Sequence, residues 1–314
     1  MIVIPVRVCG DAWSNGDEVK ALLEQTSNNT TIQLDFYHEG VSLQAIGLLQ
    51  ILDQYCASTG RDPATISLIR NPNHAEKTAY KNFSNIRNHC LGIVKNYWQE
   101  APVPDQDARV FAYFLGRRTI ARSYILYDLW HSMADRFLFS SMHNRGPVPW
   151  IRPPQGINLE TVSDWMNLKT FDSFCSWFQS CPVSSIDGHA VSDHYDPSQN
   201  IHRDLLLHYN KFQVELVTET YTMGNTFFPT EKTFRPIMAA KPFVIYGPKN
   251  FLSRLREMGF ETYSTCWDEN YDQLEGPARW HAIKQVLADI KISNVDWQIA
   301  HRNRQHLGKL VYDH

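Results

Sequence analysis

The sequence predicts an α/β protein of two Rossmann-like lobes that face a central cleft. Strand-like and helix-like segments alternate along the chain, which favours mainly parallel sheets joined by right-handed crossovers. A short polar stretch with two prolines, at 101–107, separates two such series and predicts a linker. We therefore expect an N-terminal lobe over 1–104 and a C-terminal lobe over 105–314.

The composition supports a folded protein with a large core. Of 314 residues, 43% are hydrophobic and 12% are aromatic, which excludes disorder over most of the length. The net charge of -3 argues against nucleic-acid binding through bulk charge alone, though not against a local basic groove. Apolar runs fall short of the roughly 20 residues of a membrane helix, so we expect no membrane span and a cytoplasmic location.

The first lobe is predicted to begin with a strand, because MIVIPVRV is apolar and lacks the flanks of a signal peptide. A second strand is predicted in TIQLDFYHEG (31–40), where apolar and polar residues alternate before a turn. Apolar residues at helical spacing over 45–56 predict a helix that ends at Gly60. Further strands are predicted in ATISLIRNPN (64–73) and HCLGIVKNYW (89–98).

The second lobe repeats the alternation of strands and helices. Strands are predicted in ARVFAYFLG (108–116), FQVELVTET (212–220) and KPFVIYG (241–247). Helices are predicted from about Arg118 to His131, over 159–179, from near Thr230, over 248–259, over 276–291 and over 294–312.

Polar side chains follow the strand at 212–220. Glu219 ends this strand, Asn225 lies in the next loop, and Thr230 stands at an N-cap position before Glu231 and Lys232. A helix start at the carboxyl end of a parallel strand favours an anion. A lysine in the first turn opposes the helix dipole unless an anion is present, so Lys232 indicates phosphate binding. The alternative is a capping Thr-Glu pair with a solvated lysine.

A second strand end carries arginines. Arg117 and Arg118 follow the strand at 108–116, and Arg122 comes one turn into the next helix. Arginine recognises phosphate through two parallel hydrogen bonds. The alternative is an ordinary surface pair, although like charges at this spacing mildly destabilise a helix. Because two strand ends offer cations to one cleft, phosphate recognition is the preferred interpretation.

The order F-x-x-x-x-x-x-E-T…T-E-K-x-x-x-P-I-x-x-x-x-P-F-V-I-x-G resembles the donor-binding core of the α-1,3-fucosyltransferase type of GT-B glycosyltransferase. The segment 109–129 is similar to the upstream part of that core. The downstream LREMGFETYSTCWDENYD is similar to uncharacterised phage-encoded glycosyltransferase-like proteins. The resemblance covers about 105–290 and is strongest over 212–272.

The resemblance implies an enzyme that transfers a sugar from a nucleotide-sugar donor to an acceptor hydroxyl, with inversion and without a metal or other cofactor. Lys232 and an arginine would stabilise the charge of the leaving diphosphate. The acceptor would be a glycan, a small molecule or modified DNA, in the host cytoplasm if the protein is viral. The implied donor-binding residues are Arg117, Arg122, Glu219, Asn225, Thr230, Glu231 and Lys232.

An inverting transferase also needs a general base near the acceptor hydroxyl. Glu39, before Gly40 at the end of the second predicted strand, is the preferred candidate. Its competitors are Asp11, Asp35 and His38.

An acidic and aromatic loop follows near residue 267. It is predicted either to contact a sugar through stacking and hydrogen bonds or to cap the helix at 276–291. The residues concerned are Trp267, Asp268, Glu269, Tyr271 and Asp272.

Two alternative functions stay open, and one pair of histidines could in principle bind a metal. A phage-type DNA glycosyltransferase acting on a hydroxymethylated base would need a basic groove from Arg70, Lys77, Lys81 and Arg87, with Trp98 to hold a flipped base. A catalytically inactive glycan-binding or assembly module would bind no nucleotide. His189 and His194 lie in a polar loop without a metal-binding framework, and we expect no metal site.

Overall fold

The computed structural model describes residues 1–7, 15–27, 30–36, 43–44, 46–69, 81–82, 100–116, 119–141, 162–183, 186, 205–223 and 227–312. Within these ranges the strands form two four-stranded sheets, and every strand pair is parallel. Helices alternate with the strands. The predicted α/β class is therefore confirmed.

The N-terminal sheet follows chain order. Its strands are β1 (Ile2–Pro5), β2 (Ile32–Asp35), β3 (Ile66–Ile69) and β4 (Lys81–Asn82), in the order β1-β2-β3-β4. The helices α1 (Gly16–Glu24) and α2 (Leu48–Thr59) connect the first three strands. Gly60 ends α2 in a left-handed conformation with φ of 68°, as its sequence position predicts. The strand predicted at 89–98 lies outside the described residues.

The C-terminal sheet does not follow chain order. Its strands are β5 (Arg109–Leu115), β6 (Phe137–Ser141), β7 (Phe212–Thr218) and β8 (Phe243–Tyr246), in the order β6-β5-β7-β8. β5 and β7 lie at its centre, and their residues are buried except Arg109, Val110 and Gln213. A strand covered on both faces reads as a continuous apolar run, which is why all three strands predicted in this half are confirmed.

Seven helices accompany this sheet in the described residues. They are α3 (Ile120–Met133), α4 (Val162–Trp165), α5 (Leu168–Gln179), α6 (Glu231–Met238), α7 (Phe251–Glu257), α8 (Gly276–Asp289) and α9 (Trp297–Tyr312).

Two predicted helices differ from those observed. The helix predicted over 159–179 is broken into α4 and α5, because the Asn167 side chain caps α5 by accepting the N–H of Thr170 at 2.9 Å. The last helix begins at Trp297 rather than at residue 294, since Ile292–Asn294 forms a separate 3₁₀ turn. Both differences arise from local capping, which periodicity does not register.

Each sheet has its own hydrophobic core. One core is built from residues between 4 and 68, and the other from residues between 111 and 311. The stretch at 101–107 separates them along the chain. Asp105 in this stretch binds Asn210, with its N–H donating to the Asn210 carbonyl at 2.8 Å and its carboxylate accepting from the Asn210 amide at 2.9 Å. The lobe boundary at 104/105 stays a prediction.

Lys241 is a buried charge at the amino end of the C-terminal sheet. Its side chain is 1% exposed, and Nζ donates to the carbonyl of Phe212 at 2.8 Å. Nζ also lies 5.4 Å from the centroid of the Phe212 ring. Burial lowers the pKa of Lys241 to about 8, and the Asp105 carboxylate opposes this shift.

Replacing Lys241 with methionine tests this burial. Because the folded pKa is about 8 and the ordinary value is 10.5, the unfolded chain binds more protons here between these pH values. The free energy of unfolding of the wild type should rise by up to roughly 3 kcal/mol across this window, relative to that of Lys241→Met. Urea denaturation of both proteins at several pH values measures this difference. The buried tyrosines have raised pKa values in both proteins, so their effect cancels in the comparison. If the difference in free energy of unfolding between the two proteins does not change with pH, the prediction is contradicted.

Candidate active site

The candidate site lies where the C-terminal sheet changes its winding direction. The chain leaves β5 through α3 to reach β6 on one side, and it leaves β7 through α6 to reach β8 on the other. β5 and β7 are neighbours, so their carboxyl ends flank a topological switch point. In open parallel sheets this is where a crevice forms and where ligands bind. In the N-terminal sheet the described strands are in chain order and show no such reversal.

Arg122 crosses the switch point. It lies in the first turn of α3, after β5, and is 2% exposed. Its guanidinium donates to the backbone carbonyl of Glu219, which follows β7. Its own carbonyl accepts from the Tyr113 hydroxyl at 2.9 Å. Arg122 therefore reaches from the helix after β5 to the end of β7, and phosphate recognition by cations from the two strand ends stays a prediction.

The carboxylate of Glu219 is fully buried and receives four hydrogen bonds. Oε1 accepts from the N–H of Thr230 at 2.9 Å and the hydroxyl of Thr233 at 2.6 Å. Oε2 accepts from the N–H of Thr220 at 3.0 Å and the hydroxyl of Thr230 at 2.6 Å. A buried carboxylate is tolerated only when it is bonded in this way. In this arrangement Glu219 holds the start of α6 and offers no surface to a ligand.

Lys232 lies in the first turn of α6, two residues after Thr230, and its side chain is 23% exposed. Thr230 is the N-cap of α6, as predicted, and its hydroxyl accepts the N–H of Lys232 at 3.3 Å. The Lys232 ammonium donates to the hydroxyls of Thr220 at 3.2 Å and Thr230 at 3.3 Å, and to the Glu231 carboxylate at 2.8 Å. The cation therefore stands beside the α6 start at the carboxyl end of β7, and part of it faces solvent.

A second buried carboxylate of β7 holds the other half of α6. Glu215 lies in the middle of the strand, 1% exposed, and pairs with the guanidinium of Arg235 at 2.6 Å. The Tyr209 hydroxyl donates to the same carboxylate, and Arg235 also donates to that hydroxyl. The Arg235 guanidinium lies 5.5 Å from the ring centroid of Phe114.

Sequence reasoning assigned no role to Glu215. The available signal was a glutamate inside an otherwise apolar strand, which requires a buried partner. Burial raises the pKa of Glu215, and the charge of Arg235 opposes this shift.

The side chains of the acidic and aromatic loop near residue 267 contact other groups of the protein. Trp267 is 9% exposed and stacks on Tyr263 with ring centroids 4.9 Å apart. Glu269 accepts from the Tyr263 N–H and the Thr262 hydroxyl, both at 2.7 Å, and burial raises its pKa. Asp268 is exposed and accepts the N–H of Asn270 at 2.9 Å.

Asp272 caps a helix, though not the helix expected. Its carboxylate accepts the N–H groups of Leu252 at 3.0 Å and Ser253 at 3.1 Å, which begin α7 rather than α8. It also pairs with the fully buried Arg279 at 3.0 Å. The predicted cap of the 276–291 helix is therefore not observed, since that helix has no side-chain cap, and the predicted sugar contacts of Trp267, Asp268, Glu269 and Asp272 stay untested.

Several predicted residues lie outside the described residues: Asp11, His38, Glu39, Arg70, Lys77, Arg87, Trp98, Arg117, Arg118, His189, His194 and Asn225. Of Lys81, only the backbone placement in β4 is described. Asp35, the last residue of β2, is 6% exposed.

The described residues contain neither a metal-binding cluster nor a membrane span. No group of three or more His, Cys, Asp or Glu among them is placed to hold a metal ion. None of the helices in the described ranges has the length and apolar character needed to cross a membrane.

The sequence matches no protein-family model, and the search of curated proteins finds no match.

Replacing Glu219 with glutamine tests the anchor at the start of α6. The glutamine NH₂ group would face one backbone N–H, which cannot accept, and one threonine hydroxyl, which must rotate to accept. One of the four bonds therefore becomes a repulsive contact, and a second must rearrange. We expect the free energy of unfolding to fall by about 3 kcal/mol, measured by urea denaturation.

Glu261→Gln is the matched control, because Glu261 forms an exposed pair with Arg302 at 2.6 Å. Loss of this pair should lower the free energy of unfolding by less than about 1 kcal/mol. Equal effects of the two substitutions would contradict the anchoring role of Glu219.

Proposed function

We propose that the protein is a glycosyltransferase that binds a nucleotide-sugar donor at the β5/β7 switch point. The observation that carries the proposal is the position of Arg122 and Lys232, which come from the helices after the two central strands and reach one strand end. Switch points bind nucleotides in open α/β sheets. The order of motifs over 212–272 resembles a fucosyltransferase-type donor core and supports the choice of donor.

The two cations would have different roles. Lys232 is partly exposed, and we propose that it contacts the donor diphosphate directly. Arg122 is buried and donates to the Glu219 carbonyl. In this proposal it holds the end of β7 in place and adds positive electrostatic potential to the site. Thr230 and Glu219 would position α6, while Glu231, Arg117 and Asn225 remain proposed donor contacts.

The chemistry proposed is inverting transfer to an acceptor hydroxyl. The bond between the anomeric carbon and the diphosphate oxygen breaks as the acceptor oxygen attacks, and negative charge develops on the leaving diphosphate. A fixed cation at that position stabilises this charge, which is worth roughly 3–4 kcal/mol, or a factor of 10² to 10³ in rate. In this proposal side chains supply the positive charge, so no metal is required.

The proton of the acceptor hydroxyl needs a base. We propose Glu39 for this role, with the N-terminal lobe carrying the acceptor and the two lobes facing a common cleft. Glu39 comes four residues after Asp35, the last residue of β2, which lies at the carboxyl edge of the N-terminal sheet. Carboxyl edges of parallel sheets carry the functional loops in such folds.

Nucleotide binding tests the proposal directly. We expect one of UDP, GDP or CMP, or its sugar conjugate, to bind the wild type in titration calorimetry, with an affinity that EDTA leaves unchanged. Lys232→Ala should weaken this binding by about 10- to 100-fold, since a hydrogen bond to a charged group contributes about 1.5–3 kcal/mol.

Lys291→Ala is the control, because Lys291 is an exposed lysine after α8, away from the carboxyl ends of β5 and β7. It should bind like the wild type. Absence of binding by every nucleotide would overturn the transferase proposal and favour an inactive binding module. Donor binding with transfer only to hydroxymethylated DNA would identify the phage-type DNA glycosyltransferase.

A further inference from the structure

The Lys232 ammonium is held by internal acceptors. It carries three N–H donors, and three acceptors lie within reach: the hydroxyls of Thr220 and Thr230 and the carboxylate of Glu231. The shortest of these contacts, at 2.8 Å, is the one to Glu231, and Glu231 is the only charged acceptor of the three. An anion that binds Lys232 must therefore compete with this carboxylate.

The geometry of this ion pair is unusual for a helix. Neighbouring residues on a helix point in different directions, and side chains three or four residues apart are the ones that normally meet. Lys232 reaches the adjacent Glu231 because its side chain folds back over the start of α6 towards Thr230 and Thr220. Both side chains are partly exposed, at 23% for Lys232 and 21% for Glu231. Solvent reaches both side chains, so an anion can approach the ammonium and compete with Glu231 for it.

Glu219, the other carboxylate at the start of α6, cannot be displaced by a ligand in the same way. Glu219 is enclosed by four donors and has no exposed surface. Its carboxylate is fixed by Thr220, Thr230 and Thr233 and lies out of reach of a ligand. Glu231 is therefore the carboxylate whose displacement changes the local charge that a ligand meets.

We propose that Glu231 is the displaceable internal counter-ion of Lys232: its carboxylate occupies the ammonium in the free protein and yields to the anionic group of the ligand. The inference rests on the proposed function, since it concerns how the same site admits its ligand. It predicts that Glu231 lowers the affinity for anions and that this effect acts through Lys232.

Pyrophosphate is the probe for this inference, because it carries the diphosphate charge without ribose or sugar. In titration calorimetry at low ionic strength, Glu231→Gln should bind pyrophosphate about 3- to 10-fold more tightly than the wild type. Glu257→Gln is the matched control, since Glu257 is an exposed glutamate at the carboxyl end of α7 and the substitution changes the net charge equally. It should leave the affinity unchanged.

A double-mutant cycle with Lys232→Met identifies the route of the effect. The gain from Glu231→Gln should disappear when Lys232 is methionine. A gain that persists without Lys232, or equal affinities of the wild type and Glu231→Gln, would overturn the counter-ion role while leaving nucleotide binding intact. Failure of pyrophosphate and of every nucleotide to bind either protein would instead overturn the proposed function, and the inference with it.

Discussion

Two buried carboxylates, one in β7 and one directly after it, hold helix α6 in place. Glu215 and Glu219 are four residues apart, so they project to the same side of an extended chain, the side covered by α6. Glu219 binds the first turn of the helix through Thr230 and Thr233, and Glu215 binds its second half through Arg235. A buried carboxylate without such partners is costly, so strand and helix fit together in one position. The position of Lys232 follows from this constraint.

The same arrangement changes which groups at the start of α6 are accessible to an anion. From the sequence, Thr230 and the first turn of α6 suggest free N–H groups that would attract an anion. In the structure the Glu219 carboxylate already takes up the N–H and hydroxyl of the N-cap residue. The positive charge accessible to a ligand is therefore that of the Lys232 side chain, with Arg122 fixed beneath the strand end.

Much of the C-terminal fold could be predicted from the chain itself. β5, β7 and β8 are apolar runs because both faces of each parallel strand are covered, including the edge strand β8, and the Thr-Glu-Lys sequence at the start of α6 predicts a cap. The sequence also placed Arg122, Glu219 and Lys232 at strand ends, where parallel topology brings such residues together. The break between α4 and α5 and the start of α9 were missed, because a single capping side chain and a 3₁₀ turn set them.

The sequence by itself determined the α/β class, the strands β5, β7 and β8 and the polar residues that follow β5 and β7, since these depend on local periodicity and capping. The elements α1, β4 and β6 were not predicted. Only the tertiary structure decided which strands are neighbours, and hence that β5 and β7 form a switch point. It also decided that Glu219 faces inward to four donors while Lys232 keeps part of its surface in solvent. The physical reason is that burial and the sharing of hydrogen-bond donors depend on residues distant in the chain, whose pairing local patterns do not encode.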